Sequence, residues 1–357
     1  MSSYSIIGLM SGTSMDGLDI AHCHFEKGIN DKKWKHSVKH TKTIEYPNDL
    51  LKKIETSTRL NAAELQKLDK QLGKFYAQCV SEFIEQNRIP KQSIDAIASH
   101  GHTIFHQPES GFSLQIGCGV TLSYILQIPV INNFRQKDVT AGGQGAPLVP
   151  IGDKLLFSQQ ADAFLNIGGF TNICFTKSPV IAYDISPGNL PLNKLSAKVG
   201  IPYDEDGKLA ASGKIIPVLL EQLNGLPYYA KEFPKSLGTE WLEKHFYPLL
   251  DESTEIPDLL HTVIEHIATQ VARSLNDHSA KKLMITGGGA KNKYLIERIQ
   301  AHFYGEIHLP DKQTIDFKEA IIFAFLGALH LKKEPNCLSS VTGAKKDVIG
   351  GVMHLPN

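Results

Sequence analysis

Tyr4-Ser5-Ile6-Ile7-Gly8-Leu9-Met10-Ser11-Gly12-Thr13-Ser14-Met15-Asp16-Gly17-Leu18-Asp19-Ile20-Ala21-His22-Cys23-His24-Phe25 is the stretch from which the fold is read. An apolar strand enters a turn rich in glycine and hydroxyls, Gly8 to Gly17, and a second apolar strand, Leu18 to Phe25, returns. Two such runs around glycines predict a β-hairpin. The tip is not a Walker loop, because the chain contains no G-x-x-x-x-G-K-[ST]. Glycines still let backbone N–H groups approach an anion closely, and Thr13 and Ser14 add hydroxyl donors. Asp16 and Asp19 could hold Mg²⁺ through water. The plainer reading is a tight hairpin whose glycines serve only the turn.

The pattern recurs. Asp162–Phe175 again runs strand (Ala163 to Ile167), glycines (Gly168-Gly169) and strand (Thr171 to Phe175). After the first hairpin, residues Ala62 to Asn87 carry apolar side chains three and four apart, which predicts an amphipathic helix. A strand, Ile94 to Ala98, and a polar loop, Ser99-His100-Gly101-His102-Thr103, follow. After the second hairpin come a helix from Leu259 to Leu275, a strand from Lys282 to Thr286, and Gly287-Gly288-Gly289. This recurrence predicts two α/β domains with mixed sheets and a site in a cleft between them. The glycine-rich segment 141–147 is the expected boundary, giving domains 1–140 and 141–357. The last long helix, Phe317 to Leu331, is expected to pack back onto the core.

Composition agrees with two domains. A chain of 357 residues exceeds one typical core, and 42% hydrophobic with 21% charged residues is globular composition. Lys plus Arg and Asp plus Glu both number 37, so no net charge points to nucleic acid as a partner. Five cysteines, none in a C-x-x-C pair, predict reduced thiols. His22-Cys23-His24 does not predict a metal site, because a strand turns Cys23 away from the two histidines. With no signal-peptide pattern at the start and no run near the ~20 apolar residues of a membrane span, the expectation is a cytoplasmic protein without membrane contact.

Residues 8–19 resemble the signature G-L-M-S-G-T-S-x-D-G-x-D of the anhydro-N-acetylmuramic acid kinase family. Ser99 to Thr103 is similar to its S-H-G-Q-T, and Asn133 to Leu148 to its F-R-x-x-D-x-A-x-G-G-Q-G-A-P-L. Asn166 to Asn172 resembles N-I-G-G-I-A-N, and Asp184 to Asn189 resembles D-T-G-P-G-N. Gly287 to Asn292 and Lys318-Glu319-Ala320 complete a series that reaches Thr342-Gly343. The resemblance implies a duplicated actin-like, RNase H-like ATPase fold. It implies an ATP- and Mg²⁺-dependent kinase that opens 1,6-anhydro-N-acetylmuramic acid with water and phosphorylates O6. It also implies a homodimer.

The resemblance further assigns roles. Asp184 would be the base that activates water; a capping Asp at the turn is the plainer alternative. Gly12, Thr13, Ser14, Met15, Asp16, Gly17, Leu18 and Asp19, with Gly168 and Gly169, would hold the nucleotide's phosphates. Gly287, Gly288, Gly289 and Asn292 would hold the adenosine side. His100, Arg135 and Glu319 would contact the sugar; for Glu319 a first-turn acid facing the helix dipole is the alternative. Among the chain's departures from the family pattern are His102 for Gln, Ile185 for Thr, Ser186 for Gly, and Asn193 for Asp. These cluster at the proposed base and sugar loop and leave the phosphate loop intact. A kinase for a related amino sugar and a chaperone-like ATP-binding protein of the same fold are the competing expectations.

Overall fold

The structure is a computed structural model that describes residues 2–12, 15, 17–28, 33–251 and 253–356. It divides into two units, Met1–Leu156 with Phe317–Asn357, and Phe157–Asp316.

In the first unit, β1 (Ser2–Ser11), β2 (Leu18–Lys27) and β3 (Trp34–Ile44) form an antiparallel meander. Next in the chain is β4 (Ala96–Gln107), which runs parallel to β1, and its far half pairs antiparallel with β5 (Phe112–Ile116). β6 (Val130–Asn132) lies parallel to β4, and β12 (Val352–His354) closes that edge antiparallel. Ile6, Ile7 and Leu9 are fully buried, as central strands covered on both faces require. The crossover to β4 is the helix Ala62–Gln86, opened by a capping box between Asn61 and Glu64. Its Leu68, Leu72, Tyr76, Val80 and Phe83 join the strand side chains in one core.

The second unit repeats this order. β7 (Ala163–Ile167), β8 (Phe170–Phe175) and β9 (Ile181–Pro187) form an antiparallel meander. β10 (Lys282–Thr286) lies parallel to β7, and β11 (Glu306–His308) parallel to β10. The helix Ile256–Asp277 supplies the crossover and buries fourteen residues. Three antiparallel strands, then two parallel ones added beyond the first, is the actin-like order, present twice. It follows from the sequence: hairpin periodicity first, then a long amphipathic helix, then a short apolar strand.

Two expectations are corrected, while the last long helix returns to the first unit as expected. The segment 141–147 is not a boundary; it lies inside the first unit. Asp138, fully buried, accepts hydrogen bonds from the Gly145 N–H and the Thr342 hydroxyl, each at 2.8 Å, and so ties this segment to the C-terminal region. The chain instead passes between units at 156/157 and again at 316/317, within the single helix Lys312–Lys332. The predicted loop 99–103 belongs to β4, bonded to β1 on one side and β5 on the other.

Candidate functional site

In the first unit, β1 ends at Ser11 and β2 begins at Leu18, so the tip spans 12–17. Thr13, Ser14 and Asp16 lie outside the described residues. Met15 turns back to donate its N–H to the Gly12 carbonyl at 3.2 Å, while Gly17 is buried against Thr43 and Ile44 of β3 and Leu18, the first residue of β2, is buried too. The Asp19 carboxylate, half-buried on β2, accepts a hydrogen bond from the Thr43 hydroxyl. Its oxygens are the hard donors Mg²⁺ takes.

The three residues expected at the sugar are brought together. Arg135 donates from Nε and Nη2 to His100 Nε2, at 3.0 and 2.9 Å, and from Nη1 to the Gly145 carbonyl at 2.8 Å. With Nε2 accepting, the imidazole is neutral and carries its proton on Nδ1. Burial, then the guanidinium beside it, holds His100 well below the ordinary imidazole range. Burial pushes Arg135 down to about 10, against the pull of the Glu319 charge, so it remains a cation at neutral pH. The cluster therefore presents one guanidinium, fixed by the 141–147 segment, beside one carboxylate.

Ser11, just before the tip, sits in a buried chain of hydroxyls. Tyr76 meets Tyr46 at 3.1 Å, Tyr46 donates to Ser11 at 2.7 Å, and Ser11 meets His102 Nδ1 at 2.8 Å. His102 is thus a buried partner of the strand that carries the tip, and burial lowers its pKa.

In the second unit three segments meet. The β7–β8 turn carries Gly168 and Gly169, whose carbonyls accept from the Asn189 and Gly188 N–H groups, both at 2.8 Å. A Cβ on Gly188 would stand 2.5 Å from the Gly168 oxygen, so only glycine permits this approach. Gly287, at φ +85°, brings the third segment against Asn166 and Ile167. The Asn189 amide donates to the Ile167 carbonyl at 3.3 Å. A Cβ at Gly168 would meet the Asn166 amide and the Phe170 oxygen at 3.8 Å, and one at Gly169 would crowd Leu190 at 3.1 Å. Two adjacent glycines let an anion approach the backbone more closely than side chains would allow. Asn292 is accounted for differently: its Oδ1 caps the helix Lys293–His302 by accepting the Leu295 N–H at 3.0 Å.

Asp184 stands on β9 opposite Asn172 on β8. Its carboxylate accepts hydrogen bonds from the Asn172 amide and, at 2.9 Å, from the Leu237 N–H. Its backbone is held as firmly: its N–H donates to the Lys235 carbonyl at 3.2 Å, and its carbonyl accepts from the Tyr228 hydroxyl at 2.6 Å. Burial pushes the Asp184 carboxyl above its ordinary range, and the two donors pull the other way. A held carboxylate whose pKa burial raises has the character of a general base. Sequence reasoning missed Asn172, Tyr228 and Leu237 as supports of Asp184; only Asn172, inside a quoted motif, carried a signal.

The profile of the family described as anhydro-N-acetylmuramic acid kinase matches residues 4–356. The chain belongs to that family. The anhydro-N-acetylmuramic acid kinase of Sulfurimonas denitrificans is 35% identical over 98% of this chain and 98% of that one. That of Francisella tularensis subsp. novicida is 36% identical over 98% and 99%. Among solved structures, the activator of 2-hydroxyisocaproyl-CoA dehydratase from Clostridium difficile with bound ADPNP aligns over 92% of this chain and 97% of its own. Its identity is 12% and its TM-score 0.46.

Set against the anhydro-N-acetylmuramic acid kinase motifs, the departures have physical reasons. The β8–β9 register slips between Thr171 and Asn172, which makes Ile185 the extra residue of a bulge. Its side chain enters the core, 3% exposed, so the hydroxyl it lacks is not one withdrawn from the Asp184 carboxylate. Ser186 is matched by a second change, Thr171 where the family motif has Ala. The Thr171 hydroxyl accepts the Ser186 N–H and meets the Ser186 hydroxyl, both at 2.9 Å, with neither residue exposed. Thr171→Ala is expected to cost about 1–3 kcal/mol by stranding the Ser186 N–H. Denaturant unfolding checks this, and adding Ser186→Gly should not recover the loss, because glycine keeps the same unpaired N–H. Asn193 is exposed on the helix Asn189–Ala197.

Proposed function

We propose that the protein is an ATP-dependent kinase that hydrolyses the anhydro bridge of 1,6-anhydro-N-acetylmuramic acid and phosphorylates O6, in peptidoglycan turnover. The observation that carries the mechanism is the Asp184 carboxylate, held by two donors and raised by burial. Asp184 removes a proton from the water that attacks C1, and its negative charge faces the oxocarbenium character that develops there. Bridge opening frees O6 as the phosphoryl acceptor. The backbone of residues 12–19 and of Gly168-Gly169 holds the phosphates, and Gly287 to Gly289 the adenosine side. Asn292, which also caps the helix Lys293–His302, stands with them on the adenosine side. Asp16 and Asp19 would hold Mg²⁺ through water, and the ion would spread phosphate charge. Arg135 takes the lactyl carboxylate, and His100 and Glu319 fix its approach.

The protein acts in the cytoplasm as a homodimer on this reading. Among the described residues, no helix is long and apolar enough to cross a membrane.

The test is ADP release with and without the anhydro sugar, run in ¹⁸O water. Sugar-dependent release with one ¹⁸O in the sugar product is expected. Release without ¹⁸O incorporation would mean a kinase that does not open the ring.

The pH profile gives a second check. Asp184 works only when ionised, so kcat falls as pH drops through its raised pKa. Asn172→Ala removes a donor to the charged form, which moves that pKa further up. The acid limb of kcat should therefore shift to higher pH in Asn172→Ala, and an unmoved limb would assign it to another group.

A further inference from the structure

The strand that carries Asp184 has a second side. Tyr183 and Ile185, its neighbours in sequence, line a separate cavity of about 170 Å³ in the second unit. Its other walls are the segment 229–235 and the helix Ile256–Asp277. Tyr183 stacks on Phe233 with ring centroids 5.7 Å apart, which gives the cavity a firm wall.

Lys231, Lys235 and Arg273 all line it. Neither lysine forms an ion pair among the described residues. Lys235 instead holds its ammonium over the Tyr228 and Tyr183 rings, at 5.0 and 5.5 Å. Arg273 meets Asp277 only at 3.8 Å, with both groups largely exposed, which is a weak pair. Glu232 is the one other acid in the lining, so three cations face two carboxylates. Burial, and then the charges of Arg273 and Lys231, pull Lys235 below the ordinary lysine range. Like charges gathered on one small cavity repel, and an anion between them removes the cost. Nucleotide-sized ligands need pockets of about 300 Å³ or more, so this one suits a phosphate group.

We propose that this cavity binds a small phosphate anion, inorganic phosphate or the head of a phosphomonoester, and that its occupancy is felt at Asp184. The route is short. The same segment that brings Lys235 to the cavity gives its carbonyl to the Asp184 N–H and, two residues on, the Leu237 N–H to the carboxylate. Tyr228, under the Lys235 ammonium, donates to the Asp184 carbonyl. An anion that draws Lys235 off these rings shifts the donors that tune the base. The kinetic half of the proposal rests on the role of Asp184 given above; the binding half does not.

The experiment titrates inorganic phosphate into the full chain by calorimetry, with a non-hydrolysable ATP analogue saturating the phosphate loops. The comparison is Lys231→Gln with Arg273→Gln, two exposed positions whose change leaves the core intact. The double variant should bind phosphate at least tenfold more weakly. Phosphate should alter kcat in the wild type and not in the variant. Equal binding curves, or equal kcat responses, in the two proteins overturn the proposal. Competition with a sugar 6-phosphate separates the sources: displacement of phosphate marks a phosphomonoester, and its absence marks the inorganic ion. Failure of the kinase reading shows elsewhere, as ADP release that ignores the sugar, and leaves the calorimetry interpretable.

Discussion

Asp184→Asn should lower kcat by about a thousandfold while leaving ATP affinity where it is. General-base catalysis contributes about 10²–10⁴-fold, and the amide is isosteric but takes no proton. Its oxygen still accepts the Leu237 N–H, so the segment 235–237 keeps its place and the loss falls on chemistry. The Asn172 amide can turn to meet the new NH₂ group through its own oxygen. ATP affinity is unaffected on this argument because the glycine turns at 168–169 and 287–289 make their contacts without Asp184. Coupled ADP release with saturating sugar measures kcat, and calorimetry with an ATP analogue measures affinity. A fall of less than about tenfold would remove Asp184 from the role of base. A large fall together with lost ATP binding would mean that the β9 segment had unfolded.

What the sequence made legible was local and periodic. Apolar alternation around Gly12 and around Gly168 announced both hairpins, and three-and-four spacing announced both crossover helices. The doubled sheet follows from that order. Legibility ended where one backbone approaches another from far along the chain. Nothing in the composition of 141–147 shows that Asp138 and Thr342 hold it inside the first unit. The site shows the same limit. Asp184, His100, Arg135 and Glu319 stood in motifs, but Tyr228 and Leu237 did not, because what they contribute is a hydroxyl and an N–H aimed by tertiary structure. Ile185 was the most misleading position. Simple alternation would give it no part in a bulge, yet the register slip sends it into the core. Its chemistry therefore bears on packing. Asn292 carried a local signal of its own, since an Asn just before an amphipathic run is a helix N-cap.

Lys318→Ala should be strongly destabilising to the first unit. Lys318 Nζ lies 2.7 Å from Asp153 Oδ1, with side chains 5% and 2% exposed. Burying a pair of charges this completely costs desolvation that their attraction repays only while both are present. Removing the cation alone takes from the buried Asp153 carboxylate its charge partner at 2.7 Å, at a cost of about 3–5 kcal/mol. For a unit of this size that is a fall in Tm on the order of 10 °C. Lys318→Met with Asp153→Leu removes both charges and fills the same volume, so it should return most of the stability. The pair also has a functional consequence. Lys318 adjoins Glu319, whose charge acts on Arg135, so the buried bridge fixes the turn of helix from which Glu319 reaches the cluster at His100. The double variant separates the two contributions: its Tm should approach wild type while KM for the sugar rises, because the apolar replacement restores packing but not the register of Glu319. If Lys318→Ala melts within about 2 °C of wild type, the bridge is solvated in practice and Glu319 is held by the helix alone.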